Sequence, residues 1–157
     1  MENDGLKTLF YKRSNFVTRL PLNFLYSPSH CWLAQHEGVW RVGFTKFATR
    51  MLGDIVDHGF NVKPGAQVQT GQIVGWIEGF KAISDIYGVV DGEFRGGNLA
   101  LAKSLEVIDR DCYDKGWLYE AAGKPGSLCM DASAYQTLLD KTIDKILEKQ
   151  KAPEMNE

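Results

Sequence analysis

Residues 75–87 have the sequence Gly-Trp-Ile-Glu-Gly-Phe-Lys-Ala-Ile-Ser-Asp-Ile-Tyr, and this stretch determines how the rest of the chain is interpreted. Two short runs rich in strand-forming residues, 72–77 and 83–87, enclose a Glu-Gly pair that is typical of turns. Lys81 therefore lies at the predicted tip of a β-hairpin. Because most lysines near turns are simply solvated, its significance depends on the sequence around it.

The sequence on both sides of this hairpin is punctuated by glycine. Residues 64–75 read Pro-Gly-Ala-Gln-Val-Gln-Thr-Gly-Gln-Ile-Val-Gly, and residues 88–94 read Gly-Val-Val-Asp-Gly-Glu-Phe. Turn-forming pairs recur every few residues from 54 to 101, with short strand-like runs between them. Many short strands at this spacing predict a mainly β fold, either a small sandwich or a barrel.

Outside the glycine-rich region, the pattern predicts two strands followed by a short helix. Residues 31–34 and 39–43 form the strands, and Glu37-Gly38 supplies the turn between them. Thr45 is a suitable N-cap for a helix near 46–52, and Gly53 stands where a helix stop belongs. Residues 116–121 are predicted to be a closing strand, and residues 123–126 are predicted to interrupt the regular secondary structure.

We divide the chain into four parts: an irregular N-terminal arm (1–23), a carrier-type domain (24–123), a C-terminal helix (124–150) and a disordered tail (151–157). Residues 131–149 form the clearest helix, with apolar residues at i, i+3, i+4 and i+7 spacing. We interpret its apolar face as packing on the domain, with a partner-docking surface as the alternative. Its members are Tyr135, Leu138, Leu139, Thr142, Ile143, Ile146 and Leu147.

Composition excludes several classes of protein. The formal net charge is −2 over 157 residues, which offers no broad basic surface for nucleic acid or an anionic membrane. The sequence shows neither a signal peptide nor a membrane-spanning run, so we expect a cytoplasmic protein. Three widely spaced cysteines favour no disulfide framework, and no ligand spacing indicates a metal site.

The chain resembles lipoyl and biotinyl carrier domains in three consecutive segments. These are the glycine-rich residues 64–75, the Lys81 hairpin and the Val-x-Gly-Glu sequence of residues 90–93. That resemblance implies a barrel-sandwich hybrid fold in which the hairpin lysine carries a covalent cofactor. Biotin carriers usually have methionine on both sides of this lysine, whereas Phe80 and Ala82 stand here. The resemblance therefore implies lipoate on Lys81, a swinging arm whose tether raises its effective concentration at each partner.

A longer match is to the H protein family of the glycine cleavage system, and it extends from about residue 24 to 121. The motifs in order are Tyr-Ser-Pro-Ser-His-Cys-Trp (26–32), Val-Gly-Phe-Thr (42–45), Leu-Gly-Asp-Ile-Val (52–56), Glu-Gly-Phe-Lys-Ala-Ile-Ser-Asp-Ile (78–86) and Cys-Tyr-Asp-Lys-Gly-Trp-Leu (112–118). Membership implies a non-catalytic carrier. Its implied partners are a lipoate ligase or lipoyl transferase, dihydrolipoamide dehydrogenase, glycine decarboxylase and aminomethyltransferase.

The resemblance also implies a cleft in which the arm docks. Ser29 and Asp85 keep the family's residue types there, whereas Cys31 replaces a glutamate that holds the amine of the cargo. Glu78, like Asp85, is a candidate handle for the modifying enzyme or for partners. The family's Glu-Leu-Pro segment is also absent, replaced by residues 57–62, and a helix is appended.

These departures lead us to expect a different cargo. The chain resembles the H-like lipoate-binding proteins of sulfur oxidation, and this resemblance implies that the lipoate on Lys81 carries sulfur intermediates, with a heterodisulfide-reductase-like complex as partner. Cys31 would then be an accessory thiol near the docked arm. The alternative for Cys31 is a buried thiol packed beside Trp32. For the whole chain, the alternatives are a glycine cleavage H protein carrying the aminomethyl group and an H-like binding module that is never lipoylated.

Overall fold

The computed structural model describes residues 7–155, with side chains as far as Lys151, and this range contains eleven strands and three α-helices. The strands are β1 (Thr8–Arg13), β2 (Phe16–Pro21), β3 (Leu25–Tyr26), β4 (Cys31–His36), β5 (Val39–Phe44), β6 (Ile55–Phe60), β7 (Gln67–Val68), β8 (Ile73–Gly79), β9 (Ile83–Tyr87), β10 (Val90–Gly97) and β11 (Tyr119–Pro125). The helices are α1 (Lys46–Leu52), α2 (Val107–Arg110) and α3 (Ala132–Met155), and a 3-10 turn spans Leu99–Ala102.

Two open antiparallel sheets form the body of the molecule. One has six strands in the order β3-β4-β5-β11-β10-β7, and the other has three in the order β6-β8-β9. Both sheets contribute to one hydrophobic core, which contains Leu33 and Val42 from the first and Val74, Ile77 and Ile86 from the second. The predicted mainly β, barrel-sandwich hybrid fold is confirmed.

The local predictions around α1 are confirmed in detail. Glu37 and Gly38 join β4 to β5 with positive φ angles of 52° and 86°. The Thr45 hydroxyl caps α1 by accepting a hydrogen bond from the Ala48 amide, and Gly53 ends the helix at φ 77°. The short helix therefore begins and ends where its capping residues predict, which fixes the position of the segment that follows it.

The prediction of an irregular arm over 1–23 is wrong for the described part. Residues 8–21 form the β1–β2 hairpin, which turns at Ser14 with φ 56°. The Tyr11 hydroxyl donates to Asp140 of α3 at 2.7 Å, and Arg13 pairs with Asp144 at 2.9 Å. The hairpin is stabilised by contacts with a helix more than a hundred residues away, and residues 1–6 lie outside the described residues.

Helix α3 packs as predicted, although not on the core shared by the two main sheets. Tyr135, Leu139 and Ile143 enter a second core together with Tyr11 and Phe16 of the N-terminal hairpin. Their burial confirms the packing interpretation of the apolar face. Within residues 7–155, no helix combines the length and the apolarity that a membrane span requires.

Two predicted boundaries are wrong. Strand β11 runs through the expected break to Pro125, because Gly123 pairs with Gly92 of β10. Helical backbone continues to Met155, past the expected end at 150 and into the segment predicted to be disordered. The last two residues of that segment lie outside the described residues.

Candidate functional site

Lys81 lies at the exposed tip of the β8–β9 hairpin, where its position was predicted. The two strands pair from Ile73 opposite Tyr87 to Glu78 opposite Ile83. The turn closes with a hydrogen bond from the Gly79 amide to the Ala82 carbonyl at 2.8 Å. The lysine side chain is therefore free in solvent while its backbone belongs to a paired hairpin.

The base of this tip is held by the end of α1. The Lys81 amide donates to the Leu52 carbonyl at 2.8 Å, and the Phe80 amide donates to the Asp54 carbonyl at 2.9 Å. Leu52 is the last residue of α1, whose terminal carbonyls have no partner within the helix. The hairpin thus satisfies the helix end, and the helix end in turn fixes the backbone of Lys81.

Gly53 makes this close contact feasible. Its backbone has φ 77° and ψ −165°, a conformation that is essentially restricted to glycine. A Cβ built there would lie 2.9 Å from the Lys81 Cγ and 3.2 Å from the Lys81 amide nitrogen. The glycine therefore serves both the helix stop and the approach of the lysine hairpin.

A hollow of about 310 Å³, with mostly polar and charged residues on its wall, adjoins the lysine. Lys46 and Asp109 form an ion pair of 3.1 Å on its wall. The Lys46 Nζ also donates to the Asp109 carbonyl at 3.0 Å, which joins α1 to α2. The surroundings of the tip therefore carry charges of both signs on a cross-linked support. The hollow is lined by Lys46, Thr49, Arg50, Gly53, Asp54, Phe80, Lys81 and Asp109.

The two predicted acidic handles lie on the outward side of the lysine hairpin. Trp76 is directly opposite Asp85 in the strand register, and Glu78 is opposite Ile83. The adjacent residues Ile77 and Ile86 are fully buried, so Glu78 and Asp85 point to the other side of the sheet. Asp85 is four residues beyond Lys81, about 13 Å along an extended chain.

A mostly apolar cleft of about 230 Å³ lies at the far end of β9, with Ser29 on its wall. The Ser29 hydroxyl is 2.8 Å from that of Ser27. Tyr87 connects the cleft to Asp85, because it lines the cleft and its hydroxyl makes a long hydrogen bond of 3.5 Å to Asp85 Oδ2. The lining residues are Ser27, Pro28, Ser29, Thr70, Gly71, Tyr87, Gly88, Val89, Gly126, Leu128 and Cys129.

Sequence reasoning missed most of this cleft. The alternation of β9 could have identified Tyr87, because it shares a face with Ile83 and Asp85. Leu128 and Cys129 come from the loop between β11 and α3 and carry no signal of their own. They reach the cleft only through the tertiary fold.

Cys31 does not line this cleft. It is 1% exposed and belongs to the main core, and burial raises the pKa of its thiol to about 12. A thiol in this state is protonated at neutral pH and is a poor nucleophile. The hypothesis of an accessible accessory thiol is contradicted. The alternative is confirmed as to burial, although Cys31 belongs to the main core and Trp32 to the second core.

His30 has a structural role, although its partner is distant in sequence. Its Nδ1 lies 2.8 Å from the Tyr135 hydroxyl, and its ring packs on Phe47. Burial lowers the pKa of His30 to about 4, so the ring is neutral at physiological pH. Within the described residues, no group of three or more His, Cys, Asp or Glu side chains is arranged to hold a metal ion.

Comparisons with known proteins identify the family to which this chain belongs. The model of the family described as glycine cleavage H-protein matches residues 24–142. The match includes the first part of α3, so this part of the helix falls inside the family's region and is not an appendage. The predicted domain limit at 123 is therefore earlier than the end of the family match.

Individual relatives show the same likeness over most of their length. A glycine cleavage system H protein of Corynebacterium jeikeium (strain K411) is 42% identical over 126 residues, covering 76% of this chain and 97% of the relative. One of Escherichia coli O139:H28 is 36% identical over 130 residues, covering 79% and 98%. The crystal structure of a glycine cleavage system H protein from Mycobacterium marinum superposes with a TM-score of 0.67 at 30% identity, covering 74% of this chain and 95% of that one.

Proposed function

The chain belongs to the glycine cleavage H-protein family, and from this premise we propose that it is the carrier of a glycine cleavage system, with its lipoate on Lys81. Proteins of this family carry a lipoate attached covalently to a lysine. The motif over residues 78–86 supports Lys81 as that lysine in this chain. We further propose that the protein has no catalytic activity of its own.

The observation that carries the proposal is the combination of a fixed base and a free tip at Lys81. Its amide is held by the Leu52 carbonyl, while its side chain is exposed. An arm that visits several enzymes in turn needs a free range of movement about a defined origin, because tethering then gives a high local concentration. The attachment point fits the lipoyl group in both respects.

When bound, the lipoyl group supplies thiol chemistry that accepts and releases the aminomethyl unit of glycine. The residues of this chain contribute position. The Lys81 Nζ would form the amide, and the Leu52 and Asp54 carbonyls orient the hairpin that presents it. The partners that follow are glycine decarboxylase and aminomethyltransferase, together with dihydrolipoamide dehydrogenase and a lipoate ligase or lipoyl transferase.

We propose that the apolar cleft beside Ser29 receives the end of the arm. Asp85 and Tyr87 lie between Lys81 and the cleft, and Pro28, Val89 and Leu128 are apolar parts of its wall. Asp85 is the described carboxylate that Tyr87 links to this cleft, so it is the group best placed to attract a cationic cargo. Glu78, three residues before Lys81, is proposed as a handle for the enzyme that attaches lipoate.

The comparisons favour glycine cleavage over the sulfur-oxidation function that we first inferred from the sequence, and they give that function no support. The main reason for the sulfur hypothesis was a thiol at Cys31 near the docked arm. Cys31 is buried with a raised pKa, so it is not available to exchange with the arm. A heterodisulfide-reductase-like complex is therefore not among the partners we propose.

The test is reconstitution with purified glycine decarboxylase, aminomethyltransferase and dihydrolipoamide dehydrogenase from the source organism. We expect glycine-dependent release of carbon dioxide with the lipoylated wild-type protein and none above background with Lys81→Arg. Wild-type protein that is lipoylated on Lys81 but supports no turnover would refute the glycine cleavage role. Equal activity of Lys81→Arg would refute the carrier role.

A further inference from the structure

The outward side of the three-stranded sheet carries an unusual mixture of aromatic and acidic side chains. We call it the acidic–aromatic face, after Asp57, Trp76, Glu78, Asp85 and Tyr87. Ile73 and Ile83, the register partners of Tyr87 and Glu78, share this side and are 46% and 73% exposed. The strand register places these residues on one side, because Asp57 is opposite Glu78 and Trp76 is opposite Asp85. Trp76 and Tyr87 each keep 36% of their surface exposed.

Trp76 lies across the neighbouring strand on a site that only glycine allows. Gly59 of β6 is its direct partner in the register. A Cβ on Gly59 would lie 2.8–2.9 Å from three atoms of the indole, namely Cζ2, Cε2 and Nε1. The ring therefore rests closely on bare backbone, and its remaining exposed part is available to a ligand.

The charge of this face has one sign. Strands β6, β8 and β9 contain three carboxylates, Asp57, Glu78 and Asp85, and neither Lys nor Arg. Among the described side chains, no ion pair involves any of the three. A fixed aromatic ring flanked by carboxylates without cationic partners is complementary to a cation, and especially to a planar guanidinium.

We propose that the acidic–aromatic face docks a basic surface of an enzyme that acts on the arm, with an arginine of that enzyme stacked on Trp76 and paired with Asp57. The inference rests on the proposed function, because the partner is an enzyme that acts on the arm. The face lies on β8 and β9, the strands of the Lys81 hairpin. A partner docked here is held beside the origin of the arm. Negative charge on the face disfavours nucleic acid and anionic membranes as occupants.

The chemistry of the contact predicts how it responds to salt and to substitution. Charge pairs at an exposed face are screened, so affinity should fall as ionic strength rises. Loss of the Trp76 ring should weaken binding by about tenfold, and loss of the Asp57 charge by about threefold. Both variants should still carry lipoate, because both residues lie in the strands and outside the turn that presents Lys81.

The experiment measures the dissociation constant of the lipoylated full-length protein with each of three purified enzymes from the source organism. These are glycine decarboxylase, aminomethyltransferase and dihydrolipoamide dehydrogenase, titrated by calorimetry at about 0.05 M and 0.5 M salt. The variants are Trp76→Ala and Asp57→Asn. Matched controls are Leu99→Ala, an apolar side chain 89% exposed on the 3-10 turn, and Glu148→Gln, an exposed charge on α3. Trp76→Leu replaces Trp76→Ala if thermal unfolding shows that the alanine variant is not folded.

The expected result is that at least one enzyme binds more weakly to both variants, with the controls within about twofold of wild type. The proposal is overturned if no enzyme binds the wild type, if both variants match it, or if the controls lose as much. An intact mass of each protein separates this outcome from the proposed function. A lipoylated protein with unchanged affinities refutes the docking face alone, and an unmodified Lys81 refutes the carrier role.

Discussion

Substitution of Gly53 by alanine tests whether the end of α1 controls the presentation of Lys81. The native backbone at Gly53 (φ 77°, ψ −165°) is a conformation in which a side chain costs about 1–3 kcal/mol. The new Cβ would also lie 2.9 Å from the Lys81 Cγ. Moving that side chain off its rotamer adds about 0.5–1.5 kcal/mol.

Together the two effects predict a loss of about 2–4 kcal/mol in the free energy of unfolding. For a domain of this size, that corresponds to a fall in Tm of roughly 4–16 °C. We also expect slower attachment of lipoate, because the backbone of the lysine must move to relieve the contact. Thermal unfolding gives the first quantity, and intact mass during incubation of the apo protein with a lipoate ligase gives the second.

Gly38→Ala is the matched control. Gly38 has a similar positive φ of 86°, and nothing lies within 4 Å of the position of its Cβ. The substitution therefore imposes backbone strain of about 1–2 kcal/mol without a contact to the hairpin. Gly38→Ala should lower Tm moderately and leave the rate of lipoylation unchanged. Equal rates of lipoylation for Gly53→Ala and Gly38→Ala would refute the reasoning that α1 positions the lysine.

Three further predictions concern polar side chains in and beside the two cores. Tyr135→Phe should lower the free energy of unfolding in urea by about 1–3 kcal/mol, because the buried Tyr135 hydroxyl makes hydrogen bonds with both His30 and Thr45. A loss below about 0.5 kcal/mol would contradict that role. Burial lowers the pKa of His30 to about 4, against about 6.5 in an unfolded chain. The contribution of neutral His30 to the free energy of unfolding is complete above pH 6.5 and declines by up to about 3 kcal/mol as the pH falls toward 4. Urea titrations of His30→Gln should therefore show a flatter dependence of this free energy on pH than the wild type. In the native protein at pH 8, iodoacetamide should modify Cys129 before Cys31 and Cys112, as peptide mass mapping would show, because Cys129 is only half-buried; early modification of Cys31 would restore the accessory-thiol hypothesis.

The parts of the fold that the sequence predicted are those that depend on local chemistry. The capping residues Thr45 and Gly53 bound α1, and Glu37-Gly38 produces the turn between β4 and β5. The lysine hairpin was recognisable because glycine-rich turns and short strands follow each other along it. Each of these signals lies within a few residues of the structure it determines.

The N-terminal hairpin could not be found in the same way. Its turn at Ser14 lacks glycine. Phe10 is exposed, although an apolar residue in a strand is expected to face the core. The burial of Tyr11 and Phe16 depends on α3, which lies at the opposite end of the sequence. The apolar cleft was missed for a similar reason, because its wall combines β9 with two segments distant in sequence.

The site residues also differ in whether local sequence or the tertiary fold determines their environment. Lys81 is placed by its own hairpin, so sequence and structure agree about its exposure. Cys31 stands at a position that the family resemblance assigns to the docking cleft, but its burial depends on the strand pairing with Phe44 and on the core behind it. The motif thus identified the residue that differs from the family, and only the fold could show that its thiol is buried.

The most direct test of the central claim is a non-reducing intact mass, with peptide mapping, of the protein purified from its own host. The carrier account predicts a lipoyl adduct in amide linkage on Lys81. An unmodified Lys81, in cells that lipoylate other proteins, would contradict that account and favour a binding module that is never lipoylated.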